Sequence, residues 1–281
     1  MTVQVVVGLD GRVHEPTVPF LRADDLAAVR GDGVFETVLV QGHVVREQEA
    51  HLARLERSAA ALGLPEPDLE AWRACIAGVR AAWDSPEDLV VRLLLSRGPE
   101  GGGEVTGWAT GSGVSEEALH QRAHGVSVVC LERGFSSDTA ARAPWLLLGA
   151  KTLSYAVNMA ALRHAREVGA DDVVFTSADS FVLEGPTSTV VVARGRELVT
   201  PPVSAGILAG TTQQALFAAA SSAGWTCTVA PLRAAELAGA DGVWLLSSVR
   251  LLARVHTLDS LPLPGAEAAV TLTAELSALL G

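Results

Sequence analysis

Apolar positions along this chain follow two periods, one of two residues and one near 3.6, and the switches between them mark out elements. The alternation in "VQVVVGLDGRV" predicts a hairpin turning at Leu9-Asp10-Gly11, and "FETVLVQGHVVREQ" predicts two strands joined at Gln41-Gly42. From Gln48 to Leu62 the spacing is helical, with Leu52, Leu55, Ala59 and Leu62 on one face. A second helix is expected from Asp68 to Trp83, then a strand in "DLVVRLLLSRG". The glycine-rich "GPEGGGEVTGWATGSG" carries no such period. Together with "SEEALHQRAHG" it is the expected boundary between two lobes, residues 1–119 and 125–281.

The second half starts with a strand, "GVSVVCLE", and a helix from Ser154 to Val168. "DDVVFTS", "FVLEG", "STVVVARG" and "ELVTPP" read as successive strands with turns at Ala178-Asp179 and Arg194-Gly195. "GILAGTTQQALFAAASSAG" is a loop running into a helix that ends at Gly224, "GVWLLSS" a strand, and "GAEAAVTLTAELSALL" a closing helix. Strands stand in adjacent groups as well as alternating with helices. That predicts an α+β fold of two lobes rather than a doubly wound parallel sheet.

Composition changes the picture in three places. The mean hydropathy of +0.31 is high, yet no apolar run reaches the ~20 residues that span a bilayer. The start, "MTVQVVVGLDGRV", has no basic region or cleavage site of a secretory signal. Cys75, Cys130 and Cys227 are odd in number and widely spaced, which disfavours a disulfide framework or a zinc site and fits a reducing cytoplasm. A net charge of -11 disfavours nucleic acid and anionic membrane as partners.

Lys151 is the only lysine among 21 basic residues, and Tyr155, four positions on, is the only tyrosine. A lone lysine is ordinarily a solvated cation or an ion-pair partner. Here twenty sites accept arginine, so a role needing only positive charge had an evident alternative. Arginine cannot supply a neutral amine, whereas a lysine in apolar surroundings can attack a carbonyl. Lys151 is therefore a Schiff-base candidate, and such chemistry suggests pyridoxal phosphate or a carbonyl substrate.

That cofactor makes further demands on the chain. Its phosphate needs backbone N–H donors, hydroxyls and an arginine; its ring nitrogen and phenolic oxygen need hydrogen-bond partners. "LAGTTQQAL" offers Gly210, Thr211 and Thr212 at the start of a helix, although a plain threonine N-cap would look the same. Glu184 in "FVLEGPTS" suits the ring nitrogen or a turn. Tyr155 suits the same pocket or the core.

"AKTLSYAVNMAA", "DDVVFTSADSFVLEGPTSTVVVARG" and "GILAGTTQQAL" are the most specific blocks of a resemblance that runs from "RGDGVFETVLVQGHVVREQEAHLARLERSAAALGLP" to "GVWLLSSVRLLARVHTLDS". The chain resembles the fold-type IV pyridoxal-phosphate enzymes of the class IV aminotransferase family, and looks closest to aminodeoxychorismate lyase-like members. The resemblance implies two α/β lobes like those of D-amino acid aminotransferase, a smaller N-terminal one and a larger cofactor-binding C-terminal one, with the cofactor between them, in homodimers. It implies that Lys151 is the Schiff-base lysine and general base, Glu184 the partner of the ring nitrogen, Tyr155 the partner of the phenolic oxygen, and Arg54 in "HLARL" a phosphate ligand. Gly210, Thr211, Thr212 and Ser248 match the phosphate loop and a further phosphate-binding hydroxyl. Where relatives commonly have asparagine five residues after the glutamate, this chain has Thr189.

The activity so implied is conversion of 4-amino-4-deoxychorismate to p-aminobenzoate, a folate precursor, and pyruvate. Transamination of D-amino or branched-chain amino acids is the alternative, and a binding protein that keeps the fold without catalysis is a third. The lyase substrate is a small amino compound with two carboxylates, for which Arg30, Arg46, Arg92, Arg97 and Arg250 are the candidate cations. Other chemistries lack their signatures. "GDGVFE" misses the last glycine of a dinucleotide fingerprint, no GxSxG elbow occurs, and the histidines show no metal-ligand spacing.

Overall fold

The computed structural model describes residues 2–265 and 268–281, in two compact units, Met1–Glu116 with Ala150–Tyr155, and Glu117–Gly149 with Ala156–Gly281. In the first unit the elements are β1 (Val5–Gly8), β2 (Val13–His14), α1 (Leu26–Arg30), β3 (Gly33–Gln41), β4 (Val44–Val45), α2 (Gln48–Ala61), α3 (Leu69–Ala81), β5 (Leu89–Ser96) and β6 (Thr106–Gly113). The strands form an antiparallel sheet of order β2-β1-β6-β5-β3-β4. One face supplies Val34, Val38 and Val40 from β3 and Val91, Leu93 and Leu95 from β5 to a core closed by Leu52, Leu55 and Ala59 of α2 and by Trp72, Ile76 and Val79 of α3. Those strand residues alternate, as a sheet covered on one side requires. Asp68 starts α3 by accepting hydrogen bonds from the Glu70 and Ala71 N–H groups.

The second unit contains α4 (Glu116–His124), β7 (Val126–Glu132), α5 (Thr139–Arg142), α6 (Ala156–Glu167), β8 (Asp172–Thr176), β9 (Thr189–Arg194), β10 (Glu197–Thr200), α7 (Thr211–Ser222), β11 (Thr226–Val229), β12 (Gly242–Ser247), β13 (Leu251–Leu258), β14 (Leu261–Pro262) and α8 (Ala268–Leu280). Its sheet runs β11-β10-β9-β12-β13-β7-β8, with β14 paired to β13. Here β9 and β12 are buried on both faces. Val190, Val192, Val243 and Leu245 fill one core, while Val191, Ala193, Trp244 and Leu246 meet Leu216 of α7 and Leu276 of α8 in another. Hence "TVVVA" and "VWLL" are continuous apolar runs rather than alternating ones.

Three expectations need correction. The glycine-rich stretch is not wholly a linker: Thr106–Gly113 is β6, a strand between β1 and β5. A β-carbon on Gly111 would meet Val79 Cγ1 at 2.7 Å, and one on Gly107 would meet Leu9 Cδ2 at 2.8 Å. The glycines there admit close packing instead of marking a loop. "FVLEG" is no full strand; it makes isolated bridges, Thr176 with Val182 and Phe181 with Arg233. The division into units falls at Glu116/Glu117, inside "SEEALHQRAHG", which folds largely into α4 rather than a linker, and residues 150–155 group with the first unit. The Phe35 N–H donates to the Lys151 carbonyl at 3.0 Å and the Leu153 N–H to the Gly33 carbonyl at 2.8 Å, which ties that segment alongside β3. The first positions of the expected closing helix, Ala266 and Glu267, lie outside the described residues. No helix among the described residues is long and apolar enough to cross a membrane.

Candidate active site

Lys151 is held by backbone on both sides. Besides the Phe35 bond, its own N–H donates to Ser58 Oγ at 3.1 Å, so β3 and α2 together set where its side chain starts. Its Nζ lies 4.3 Å from the centre of the Phe35 ring and 6.0 Å from that of Tyr155. The two rings meet edge to face, 5.4 Å apart at 88°. An ammonium is attracted to such ring faces, which help to position the amine. The sequence reading did not include Phe35.

Beneath the same strand lies a buried polar cluster. Glu36 accepts from Arg54 Nε at 2.7 Å and Nη2 at 2.8 Å, and His51 Nδ1 stands 2.7 Å from its Oε2. His51 and Arg54 are one turn apart on α2, and Glu36 and His51 are fully buried. Burial alone would raise the Glu36 pKa. The Arg54 charge and the hydrogen bonds from Arg54 and His51 outweigh it and hold the carboxyl at about 2.

In the second unit, Glu184 ends an irregular arm fixed to β8 by Phe175 N–H to Glu184 carbonyl and Leu183 N–H to Phe175 carbonyl, each 2.8 Å. Its Oε2 accepts the Leu208 N–H at 3.0 Å, so the carboxylate is coupled to the loop that leads into α7. Gly210 is the N-cap of α7, with no side-chain cap hydrogen bond, at the end of the helix whose dipole favours an anion. Thr211 and Thr212 are both buried. Thr211 Oγ1 is 3.5 Å from Ser248 Oγ, whereas Thr212 Oγ1 has no hydrogen-bond partner among the described residues. Asn158 Nδ2 donates to the Pro186 carbonyl at 2.6 Å and steadies the turn after Glu184.

The candidate substrate arginines separate by their partners. Arg30 is exposed and faces Glu100 at 3.5 Å. Arg46 donates to Gln41 Oε1, and Arg97 is bound to Asp32 and to the Leu62 carbonyl. Arg250, offered by its sequence position as a substrate cation, is buried against Asp172 at 2.6 Å and also donates to Gln121, so its charge is neutralised inside the second unit. Arg92 is different. It is half-buried on β5, and among the described residues its side chain has no hydrogen-bond or ion-pair partner. It pairs in register with Thr37, two residues from Phe35, so Arg92, Thr37 and Phe35 share the sheet face opposite the helices.

Each unit carries groups of the kind pyridoxal phosphate requires: the first an amine laid on aromatic faces, the second a carboxylate linked to a helix start and a buried hydroxyl without a partner among the described residues. The family model for amino-transferase class IV matches residues 33–258. The chain belongs to that family. This class IV chain is 49% identical over 269 residues to the bifunctional aminodeoxychorismate lyase / D-amino acid transaminase of Mycobacterium tuberculosis, covering 92% of this chain and 93% of that one. It is 25% identical to the D-alanine aminotransferase of Bacillus licheniformis, over 89% of this chain and 87% of the relative. The PLP-bound form of a hypothetical aminotransferase from M. tuberculosis superposes with a TM-score of 0.94 at 48% identity, covering 99% of each chain. The class IV chain is thus a pyridoxal-phosphate-dependent enzyme with the fold-type IV architecture.

Proposed function

We propose that this enzyme is an aminodeoxychorismate lyase that converts 4-amino-4-deoxychorismate to p-aminobenzoate and pyruvate. The observation that carries the reading is the 49% identity, over nearly the whole chain, to a protein whose name includes that activity. Lys151 is the amine that bonds to the cofactor, and Glu184 keeps the ring nitrogen protonated. Tyr155 donates to the phenolic oxygen. Arg54, the N–H groups after Gly210, and the Thr211, Thr212 and Ser248 hydroxyls hold the phosphate. Arg92 is the cation for a substrate carboxylate, because its charge is not already spent on a neighbour. The enzyme works as a homodimer in a reducing cytoplasm, where its three free cysteines stay thiols.

Bound pyridoxal phosphate supplies an electron sink for the carbon that carries the substrate nitrogen. Lys151 Nζ takes the proton from that carbon. The bond between the ring carbon and the ether oxygen then breaks, the enolpyruvate so released takes up a proton to become pyruvate, and the six-membered ring is left aromatic. No second substrate is consumed, since the atoms of p-aminobenzoate and pyruvate sum to those of the starting compound.

A second reading, transamination of D-amino acids, is favoured by the other half of that relative's name and by the B. licheniformis likeness. One reaction separates the two. With aminodeoxychorismate and no keto acid, sustained release of p-aminobenzoate and pyruvate over many turnovers, lost in Lys151→Ala, is the expected result. A single turnover that restarts only when a 2-keto acid is added would overturn the lyase reading.

A further inference from the structure

On β3, side chains two apart share a face, and Val34, Val38 and Val40 are core residues with at most 2% exposure. Glu36 stands among them on that same face and is itself fully buried. A carboxylate there is not what the fold asks for. Apolar residues of similar size stabilise a core as well as or better than a buried ion pair, whose desolvation offsets its attraction. What the carboxylate does achieve is geometric. Its two oxygens accept the Nε and Nη2 edge of Arg54, at 2.7 and 2.8 Å, and a two-point contact fixes the plane of the guanidinium as well as its position. His51, from the same helix as Arg54, engages the second oxygen at 2.7 Å and keeps the carboxylate from swinging about its own axis.

We infer that Glu36, seated by His51, is a positioning residue that sets the orientation in which Arg54 meets the cofactor phosphate. This rests on the proposal that Arg54 is a phosphate ligand. Glu36 touches neither substrate nor cofactor in this account; it acts through Arg54 alone. The idea has a sign that electrostatics alone would reverse. A carboxylate bonded to Arg54 subtracts from the pull of that cation on a dianion. Its removal would tighten phosphate binding if charge were what mattered, and weaken it if orientation is.

The measurement is the affinity of enzyme stripped of cofactor for pyridoxal phosphate and for pyridoxal, which lacks the phosphate. The ratio of the two reports the phosphate grip and is insensitive to a general loss of active-site order. In Glu36→Gln the ratio is expected to fall by roughly 10–100-fold, the range over which partners of a ligating side chain set affinity. The phosphorus NMR line of bound cofactor should broaden or shift, and the Glu36→Gln Arg54→Gln double variant should lose little more than Arg54→Gln alone. An unchanged or raised ratio in Glu36→Gln, while Arg54→Gln collapses it, overturns the inference and leaves Arg54 as a phosphate ligand. A ratio untouched by Arg54→Gln removes the phosphate reading of Arg54 itself, and the inference with it. Should Glu36→Gln not fold, Glu36→Asp is read the same way. It keeps the charge and draws back the acceptor, so a lowered ratio supports positioning and an unaltered one refutes it.

Discussion

Thr189 occupies the space that a side chain on Gly210 would need. A β-carbon built on Gly210 falls 2.2 Å from Thr189 Oγ1 and 3.2 Å from Thr189 Cβ. The first residue of β9 and the N-cap of α7 are thus packed backbone against side chain. Gly210→Ala should displace the start of α7, at a cost of about 1–3 kcal/mol in stability. It should also weaken pyridoxal-phosphate binding. Adding Thr189→Ala removes the nearer contact and should restore part of both. Thermal unfolding of the cofactor-free protein and equilibrium dialysis read the two effects.

The covalent assignment has an unusually direct test, because the chain offers one lysine. Borohydride treatment of the holoenzyme should add a single phosphopyridoxyl group to the intact mass, and none in Lys151→Arg. Arginine keeps the charge that the Phe35 ring attracts but cannot form the bond. Turnover in Lys151→Arg should fall by about 10²–10⁴-fold or more, the range for loss of a positioned proton-transfer group. A variant of near-normal rate would mean that another amine does the chemistry.

The candidate residues can be picked out in the sequence because each is anomalous against its local background. A solitary lysine among arginines, a carboxylate after a short apolar run, and a glycine-threonine-threonine helix start each stand out in a few residues. The face of α2 was legible for the same reason, since Leu52, Leu55 and Ala59 recur at helical spacing and are all fully buried. What depended on distant partners was not. β6 reads as loop because Gly107 and Gly111 carry no pattern, and their purpose is visible only once Leu9 and Val79 are seen against their backbone. In the sequence Glu36 reads as one residue of an alternating strand. Its signal was present, a carboxylate in phase with Val34, Val38 and Val40, but its meaning needed Arg54 and His51 from another element.

Among the arginines, Arg92 and Arg250 should respond in opposite ways. Arg92 has no partner to lose among the described residues, so Arg92→Met should fold normally and raise KM for aminodeoxychorismate roughly tenfold or more. That is the scale of a charged hydrogen bond to a carboxylate. Arg250→Met should leave KM within about twofold, because that charge is already spent on Asp172, although stranding the buried carboxylate should lower stability by about 3–5 kcal/mol. Asp172→Asn breaks the same pair from the other side. It strands the Arg250 charge and should lower stability by about 3–5 kcal/mol, read by urea unfolding. An Arg250→Met variant with a strongly raised KM would return that residue to the substrate site.

The Glu36 cluster also predicts where acid unfolds the protein. Its carboxyl titrates at about 2 in the folded chain against an ordinary 4.5, because Arg54 and His51 overcome the effect of burial. A depressed folded value means that its contribution is complete above the unfolded pKa and drains away as pH falls through the folded one. The loss should therefore run from about pH 4.5 down to about pH 2, and amount to about 3 kcal/mol at most. Glu36→Gln is less stable than the parent at neutral pH, yet should show less of this acid-dependent loss, so the two unfolding curves converge as the pH drops. Denaturant titrations at several pH values across that interval measure the convergence. Parallel curves would mean that the proton goes elsewhere and that Glu36 is not what fails in acid.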